Sequence, residues 1–292
     1  MSRSPGRGRR AAIAVCCKLS QPEVQERLCG MLRLALLCAS LLADPEAQAT
    51  RDIEFARPGG TPLLMDVSIP EGEGPHPAVI LVHGGGWEAG DKSTYIKPWF
   101  PMLTDARLAW FSINYRLAPL HPHPAAVRDI EAAITFIRDH ARSYRIDPAK
   151  IALMGESAGG HLAALVASRG ESTLAAVVSF YGIHDIPLWA EQRGRMPENI
   201  AKYLAGADPL EASPVRYIRR SMPPHLFVHG TRDAGVPIEQ STSMCERMTA
   251  AGARCEVVRV EGAPHGVENW EKNPQWQGYK PAVVQWLKEV LR

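Results

Sequence analysis

The chain has 292 residues, of which 46% are hydrophobic, and its formal net charge is +2 at pH 7. This length suffices for one α/β domain with a large buried core. The near-neutral charge gives no sign of a nucleic-acid partner, and the sequence has no internal repeat and no metal-ligand spacing such as H-E-x-x-H.

Residues 1–49 predict a leader outside the folded domain. Residues 1–30 are basic and irregular, and we expect them to be a misassigned extension with Met31 as the true start. Arg33, the apolar run at 34–43 and the A-x-A site at 47–49 predict a signal peptide over residues 31–49. The apolar run is too short to span a bilayer. A secreted or periplasmic protein without stable membrane association is expected, although an amphipathic or buried helix over 31–49 remains an alternative.

Residues 50–292 alternate apolar, strand-like runs with helical patterns. This alternation predicts one α/β domain with a mostly parallel eight-stranded sheet, covered by helices on both faces. Apolar residues at helical spacing predict a helix over 125–144. The expected strands are residues 52–57, 63–69, 78–83, 109–114, 150–155, 175–181, 225–229 and 255–260. Ligands of such sheets bind beyond the carboxyl ends of the strands.

Residues 83–87 (HGGGW) directly follow the apolar strand that ends near Val82. Consecutive glycines let the backbone turn its N–H groups toward a pocket. Together with the N–H of Ala158, those of Gly85 and Gly86 are expected to form an oxyanion hole. A phosphate-binding loop is a weaker alternative, because neither a P-loop nor a dinucleotide fingerprint is present.

Residues 155–159 (GESAG) lie between an apolar strand and a helix-forming run. A G-x-S-x-G sequence in this context predicts a nucleophile elbow, a tight turn in which glycines prevent clashes and the serine hydroxyl is exposed. Ser157 is therefore the expected nucleophile. The alternative is a glycine-rich helix entry without catalytic meaning.

Residues 183–222 break the helical period with several prolines and predict a small lid insertion. Its aromatic residues either line a pocket or cover the core, and Trp189 is the expected substrate contact among them. Trp87, beside the glycine run, is a second one. Trp270 and Trp276 form either an outer aromatic rim or part of the surface packing.

Asp233 and His265 each occupy a loop that follows a predicted strand. With Ser157 they give the chain order Ser, Asp, His of a hydrolase catalytic triad, in which the histidine activates the serine and the aspartate orients the histidine. Four other side chains remain alternatives: His184 or His229 as the base, and Glu261 or Glu268 as the acid.

Two of the six cysteines, Cys245 and Cys255, lie beyond the predicted leader. An even number in an exported protein suggests a disulfide, which here would join a helix to the following strand. Two buried thiols are equally compatible with the pattern.

The chain resembles the hormone-sensitive-lipase-like branch of the α/β-hydrolases, and within it bacterial acetyl xylan and feruloyl esterases. The similar segments are HGGGW (83–87), GDK (90–92), NYRLAP (114–119), HPAAVRD (123–129), GESAGG (155–160) and HGTRD (229–233). The resemblance implies an α/β-hydrolase fold and a serine carboxylesterase that needs no cofactor.

The same resemblance implies a small-molecule or oligosaccharide ester as substrate. Short-chain or aryl esters, including acetylated or feruloylated plant polysaccharide fragments, would be cleaved through an acyl-enzyme. Two alternatives remain open: an amide hydrolase of the kynurenine formamidase kind, which shares both glycine motifs, and a non-catalytic binding protein on the same fold.

Overall fold

A computed structural model describes residues 49–292 and places eight strands of this range in one sheet. Each of the eight predicted strands is confirmed, with ends that differ by a few residues. The strands are β1 (Thr50–Ala56), β2 (Leu63–Ser68), β3 (His76–Val82), β4 (Ala109–Ile113), β5 (Ile146–Glu156), β6 (Ala176–Phe180), β7 (His225–Gly230) and β8 (Cys255–Val260).

Eight α-helices connect or follow these strands within the described range. They are α1 (Trp99–Asp105), α2 (Ala125–Asp139), α3 (Ala158–Arg169), α4 (Ile186–Gln192), α5 (Glu198–Leu204), α6 (Glu239–Ala250), α7 (Val267–Trp270) and α8 (Tyr279–Val290).

The strand order is β1-β2-β4-β3-β5-β6-β7-β8. β2 runs antiparallel to both β1 and β4, whereas every neighbouring pair from β4 to β8 is parallel. The predicted mostly parallel eight-stranded sheet is therefore confirmed. Because parallel strands end at the same edge, the loops after β3, β5, β7 and β8 emerge on one side of the sheet.

The centre of the sheet is buried on both faces, as the side-chain alternation of β3 shows. Ala78, Ile80 and Val82 belong to one hydrophobic cluster, which also contains residues of α2 and α3. Val79 and Leu81 point the other way, into a second cluster with residues of α1 and α8. Since successive strand side chains point to opposite faces, the near-continuous apolar run of β3 fits a strand with helices on both sides.

Helix α2 begins at the predicted residue but ends at Asp139 rather than near residue 144. Residues 140–145 form turns instead, in which the N–H of Ile146 donates to the carbonyl of Ala141. These turns return the chain to the sheet, where β5 already begins at Ile146, four residues before its predicted start.

The insertion (residues 183–222) contains α4, α5 and a short 3₁₀ turn at Pro214–Tyr217. Asp185 caps α4 by accepting the N–H of Leu188 at 3.0 Å. Ile186, Ile200 and Tyr203 are buried in the same hydrophobic cluster as α2 and α3. The insertion is thus packed onto the core through one face of each short helix.

Cys245 on α6 and Cys255 at the start of β8 form a disulfide, with Cα atoms 5.6 Å apart. Of the two alternatives the sequence leaves open, the structure therefore contains the bridge, which joins the helix to the edge strand of the sheet.

The predicted extension (1–30) and, apart from Ala49, the predicted signal peptide (31–49) lie outside the described residues. Residues 49–292 belong to one compact unit. Within residues 49–292, no helix is both long and apolar enough to cross a membrane.

Candidate active site

Ser157 lies at a sharp turn between β5 and α3. Its backbone has φ 52° and ψ −117°, a left-handed φ that non-glycine residues seldom adopt and that is typical of a strained strand-to-helix turn. A Cβ added at Gly155 would fall on the carbonyl of Gly159, and one at Gly159 would fall on the carbonyl oxygens of Val82 and His83. Gly155 therefore lets the turn close onto α3, and Gly159 lets it pack against the end of β3.

The structure brings Ser157, His265 and Asp233 together from the loops after β5, β8 and β7. His265 Nε2 lies 3.1 Å from Ser157 Oγ, and His265 Nδ1 donates to Asp233 Oδ2 at 2.6 Å. The other carboxylate oxygen, Oδ1, accepts the backbone N–H groups of Gly235 and Val236, both at 2.8 Å. A base within reach of a hydroxyl, oriented by a fixed acid, is the arrangement that activates a serine.

Two opposing effects set the pKa values of this pair. Burial raises the pKa of Asp233, but hydrogen bonds from His229 and His265 outweigh it and hold that pKa well below its usual range. Burial lowers the pKa of His265, but the hydrogen bond and charge of Asp233 outweigh it and leave that pKa above 6.5. Asp233 thus stays ionised and stabilises the imidazolium that forms when His265 takes a proton.

The glycine run after β3 adopts the backbone geometry that only glycine accepts readily. Gly85 has φ +96° and Gly86 φ +62°. Gly86 lines the same pocket as Ser157, while Ala158 supplies the first N–H of α3, which has no partner within its own helix. Gly86 and Ala158 thus lie beside Ser157, whereas Gly85 is not among the residues that line this pocket.

His83 and Tyr115 hold the glycine run from the interior. Their rings are stacked with centroids 4.2 Å apart, and the Tyr115 hydroxyl donates to the carbonyls of His83 at 3.0 Å and Gly84 at 3.3 Å. Burial lowers the pKa of His83 to about 4, so its imidazole is neutral at physiological pH.

A pocket of about 260 Å³ opens over the triad. Trp189 lines it, and its Nε1 donates to the carbonyl of Gly235 at 3.2 Å. Trp87 also lines it, but its side chain is only 1% exposed, stacks on Tyr203 and donates to His161 Nδ1 at 3.1 Å. Trp87 is therefore mainly a packing residue of the pocket wall, and Trp189, at 5% exposed, is also largely buried in that wall.

The alternative bases are engaged elsewhere. The Nε2 atom of His184 contacts Ser179 Oγ, and its Nδ1 atom contacts the carbonyl of Gln240. Burial lowers the pKa of His184 well below 6.5. His229 contacts Ser241 Oγ and the carbonyl of Val236, each at 2.8 Å. Its Nε2 lies 3.5 Å from Asp233 Oδ2, so it supports the acid and has no contact with Ser157.

Neither alternative acid occupies the position beside His265 Nδ1, which Asp233 fills. Glu261 accepts a hydrogen bond from Thr231 at 3.1 Å, and Glu268 lies in the first turn of α7, with its carboxyl beside Gly266.

Of the two alternatives for Trp270, an outer aromatic rim or packing, the structure supports packing. This side chain is fully buried, and its Nε1 donates to the carbonyl of Pro264 at 2.7 Å. Its ring packs against Tyr279 and Phe180 in the second hydrophobic cluster, with Trp276 partly buried against the same cluster. Packing of α7 and α8 against the sheet thus accounts for both indoles.

Glu156, the variable residue of the elbow motif, is a functional candidate that the sequence analysis does not single out. Its side chain is 3% exposed and lies so close to the glycine run that a Cβ at Gly84 would fall on its Oε1. Burial raises the pKa of Glu156 to about 7 against the opposing charge of His265. Tyr181 lies nearby, with its ring centroid 4.5 Å from that of His265.

Two polar residues of the insertion, Arg193 and Asn199, also line the pocket and likewise carry no motif. The sequence alone does not identify them, because only the folded insertion shows which of its polar residues line the pocket with Ser157. Within residues 49–292, no group of three or more His, Cys, Asp or Glu side chains has an arrangement suited to a metal ion.

Residues 65–248, more than half of the chain, match the BD-FAE protein family. Esterase LipC of Mycobacterium tuberculosis is 32% identical over 222 residues, which cover 66% of this chain and 54% of LipC. Carboxylesterase NlhH of the same organism is 28% identical over 218 residues, covering 66% of this chain and 67% of NlhH. The chain spans about half the length of several curated relatives that it matches.

Solved structures share the fold. The thermophilic esterase Est2 of Thermogutta terrifontis superposes with a TM-score of 0.71 at 27% identity, covering 83% of this chain and 92% of that one. A truncated carbohydrate esterase from gut microbiota superposes with a TM-score of 0.75 at 24% identity, covering 85% and 98%. The predicted α/β-hydrolase fold is thereby confirmed.

Proposed function

Because the chain belongs to the BD-FAE family, we propose that it is a serine carboxylic ester hydrolase. The observation that carries the proposal is the pair of hydrogen bonds of His265, 3.1 Å to Ser157 Oγ and 2.6 Å to Asp233 Oδ2. The relatives LipC and NlhH, which are named as esterases, support the same reaction class.

In this mechanism His265 Nε2 takes the proton of Ser157 while Oγ attacks the ester carbonyl. Asp233 keeps the imidazole in the required tautomer and stabilises its charged form. The developing oxyanion accepts hydrogen bonds from Ala158, Gly85 and Gly86, where loss of one donor typically costs about 3–4 kcal/mol of barrier. His265 then protonates the leaving alcohol, and water releases the acyl group by the reverse sequence.

The size and lining of the pocket support the proposed substrate class. A volume of about 260 Å³ suits a short acyl or aryl group, and Ile183, Trp189 and Val236 supply apolar walls. Short-chain or aryl esters are therefore the proposed substrates. Acetylated or feruloylated plant polysaccharide fragments are the proposed natural source, an inference that rests on the family resemblance and on the expected export.

The test is the initial rate of p-nitrophenyl acetate hydrolysis by the full chain, with Ser157→Ala purified in parallel. We expect the variant to lose turnover by about three orders of magnitude or more, because the hydroxyl is the nucleophile. Equal rates in both proteins would refute the proposal and favour a binding protein on this fold. Faster cleavage of an N-formyl aryl amide than of the aryl acetate would favour the formamidase alternative.

We further propose that the protein is exported and that its leader is removed after Ala49. The basic start, short apolar run and A-x-A site of residues 31–49 support this proposal. The test is amino-terminal sequencing of the protein recovered from the periplasm or medium of an expressing bacterium. A first residue at Thr50 is the expected result, and retention of uncleaved protein in the cytoplasm would refute it.

A further inference from the structure

Arg193 directly follows α4 and faces the catalytic pocket together with Ser157 and His265. Its Nη1 donates to the carbonyl of Gly235 at 2.9 Å and, more weakly, to that of Ala234 at 3.3 Å. Its Cζ lies 5.8 Å from the centroid of the Trp189 ring. The guanidinium is thus held in place at the pocket wall by two carbonyls and an aromatic face.

All three of these contacts are with uncharged groups. Among the described residues, Arg107 and Arg145 likewise contact backbone carbonyls, whereas Arg116 pairs with the acid Asp129 and Arg254 with the acid Glu289, each at 2.8 Å. Arg193 has no such partner within the described range. Asp233 forms no ion pair with Arg193 in the described part of the chain, and its carboxylate oxygens accept hydrogen bonds from Gly235, Val236 and His265.

The guanidinium has N–H donors that none of these contacts uses. Arginine has five N–H donors in a planar fork, and the contacts above involve only Nη1. This fork matches the two oxygens of a carboxylate, with which it forms charge-assisted hydrogen bonds. A fixed cation without a counter-charge, beside a serine nucleophile, is suited to an anionic part of a substrate.

Resting on the proposed ester hydrolase function, we propose that Arg193 binds a carboxylate carried by the substrate. The enzyme then prefers esters that carry an acid group within reach of Ser157, such as hemiesters of dicarboxylic acids or acetylated phenolic acids, over neutral esters of the same shape. Arg193 acts in this proposal as a specificity-determining residue, and the polar amide of Asn199 lies in the same pocket wall.

A purely structural role makes a different prediction. Arg193 contacts the backbone directly after Asp233, so it could instead brace the loop that holds the acid. Its loss would then slow neutral and anionic esters by the same factor, because the triad itself would be misplaced.

Two pairs of esters of matched shape separate these roles. Monoethyl succinate and ethyl isocaproate carry the charge difference on the acyl side, and p-acetoxybenzoate and p-acetoxybenzamide carry it on the alcohol side. The full-length protein, Arg193→Gln and Arg193→Glu are compared by kcat/KM for each ester. Arg195→Gln is the matched control, because Arg195 is exposed in the same segment and does not line the pocket.

We expect the wild-type protein to prefer the anionic member of at least one pair. Arg193→Gln should lower kcat/KM for that ester about tenfold, the effect of one charge-assisted hydrogen bond, and change the neutral ester less than about twofold. Arg193→Glu should reverse the preference. The Debye length falls from about 30 Å to about 3 Å when salt is raised from about 0.01 M to about 1 M. This increase in salt should therefore weaken the preference of the wild-type protein for the anionic ester.

Equal losses for both members of each pair, or no preference in the wild-type protein, would overturn the role of Arg193 while leaving the ester hydrolase function intact. Failure of the wild-type protein to cleave any of the four esters or p-nitrophenyl acetate would overturn both proposals together.

Discussion

The imidazole of His265 donates a 2.6 Å hydrogen bond to the carboxylate of Asp233, and this bond joins the loop after β8 to the loop after β7. The carboxylate is fixed from its other side by the N–H groups of Gly235 and Val236. Hydrogen bonds to the charged form favour ionisation, so Asp233 remains a carboxylate throughout the physiological pH range. The imidazole is thereby oriented with Nε2 toward Ser157.

We expect kcat/KM for p-nitrophenyl acetate to rise with pH through one ionisation whose midpoint lies above 6.5. Burial lowers the pKa of His265, but Asp233 outweighs burial and raises it, so the base becomes neutral only at higher pH. Asp233→Asn should move the midpoint to lower pH and reduce kcat by about 10⁴. A wild-type midpoint at or below 6.5 would contradict this coupling.

Glu156→Gln should stabilise the protein at alkaline pH. The pKa of the buried Glu156 carboxyl is raised by burial from 4.5 to about 7, so the folded state holds its proton more tightly than the unfolded state. Stability from this group is fully present below about pH 4.5 and is lost as pH rises through about 7. Gln keeps the shape but cannot ionise.

The measurement is urea unfolding of Glu156→Gln and the wild-type protein at about pH 5 and about pH 8. As the pH rises from about 5 to about 8, the free energy of unfolding of the variant should increase by up to about 3 kcal/mol relative to that of the wild type. Glu246→Gln, on the exposed face of α6, is the control and should show no such gain. A difference between the two proteins that does not change with pH would refute the explanation.

The central strands could be predicted from sequence because they are short apolar runs buried on both faces, as in β3. The juxtaposition of Ser157, Asp233 and His265 could be predicted because all three follow parallel strands and therefore share one edge. The end of α2 could not, because residues 140–145 form turns through a backbone contact between Ile146 and Ala141.

The remaining site residues depend on contacts between distant segments. A tryptophan five residues after His265 looks like a pocket residue in sequence, but only the packing of α7 against the sheet shows that Trp270 is buried. Arg193 and Glu156 carry no motif. Their roles follow from what surrounds them, an uncharged pocket wall in one case and the glycine run in the other.

Gly159→Ala should impair both stability and activity. The added Cβ would fall on the backbone carbonyl oxygens of Val82 and His83, which cannot move without shifting β3 and the glycine run. We expect the free energy of unfolding to fall by about 1–3 kcal/mol and kcat to decrease. Gly278→Ala is the control, because its Cβ would meet no atom within 4 Å and its φ is not left-handed. Wild-type kcat in Gly159→Ala would contradict the tight elbow.

Removal of the disulfide should lower stability without changing the active site. The bridge closes a short loop, with a sequence separation of 10 between Cys245 and Cys255. In the chain-entropy model this loop contributes about 2–3 kcal/mol. We expect the double variant Cys245→Ser, Cys255→Ser to unfold at lower urea concentration, with kcat/KM within about twofold of wild type. Alkylation of both cysteines in the untreated protein would show instead that no bridge forms.

The hydroxyl of Tyr115 fixes the direction of a proposed oxyanion donor. It donates to the carbonyl of Gly84 at 3.3 Å, and the same carbonyl contacts His83 Nδ1 at 2.8 Å. The N–H of Gly85 belongs to the same planar peptide unit, in which a trans bond directs N–H and C=O to opposite sides. Holding the carbonyl of Gly84 inward therefore keeps the N–H of Gly85 pointing away from the interior.

Tyr115→Phe should consequently lower kcat about five- to tenfold while KM stays within about twofold, because an oxyanion donor acts mainly in the transition state. Steady-state kinetics on p-nitrophenyl acetate measure both constants. Loss of a buried donor should also reduce the free energy of unfolding by about 1–2 kcal/mol. Tyr217→Phe is the matched control, because its exposed hydroxyl also donates to a backbone carbonyl, that of Glu211, away from the site. Equal kcat values for the two variants would show that the glycine run keeps its orientation without Tyr115.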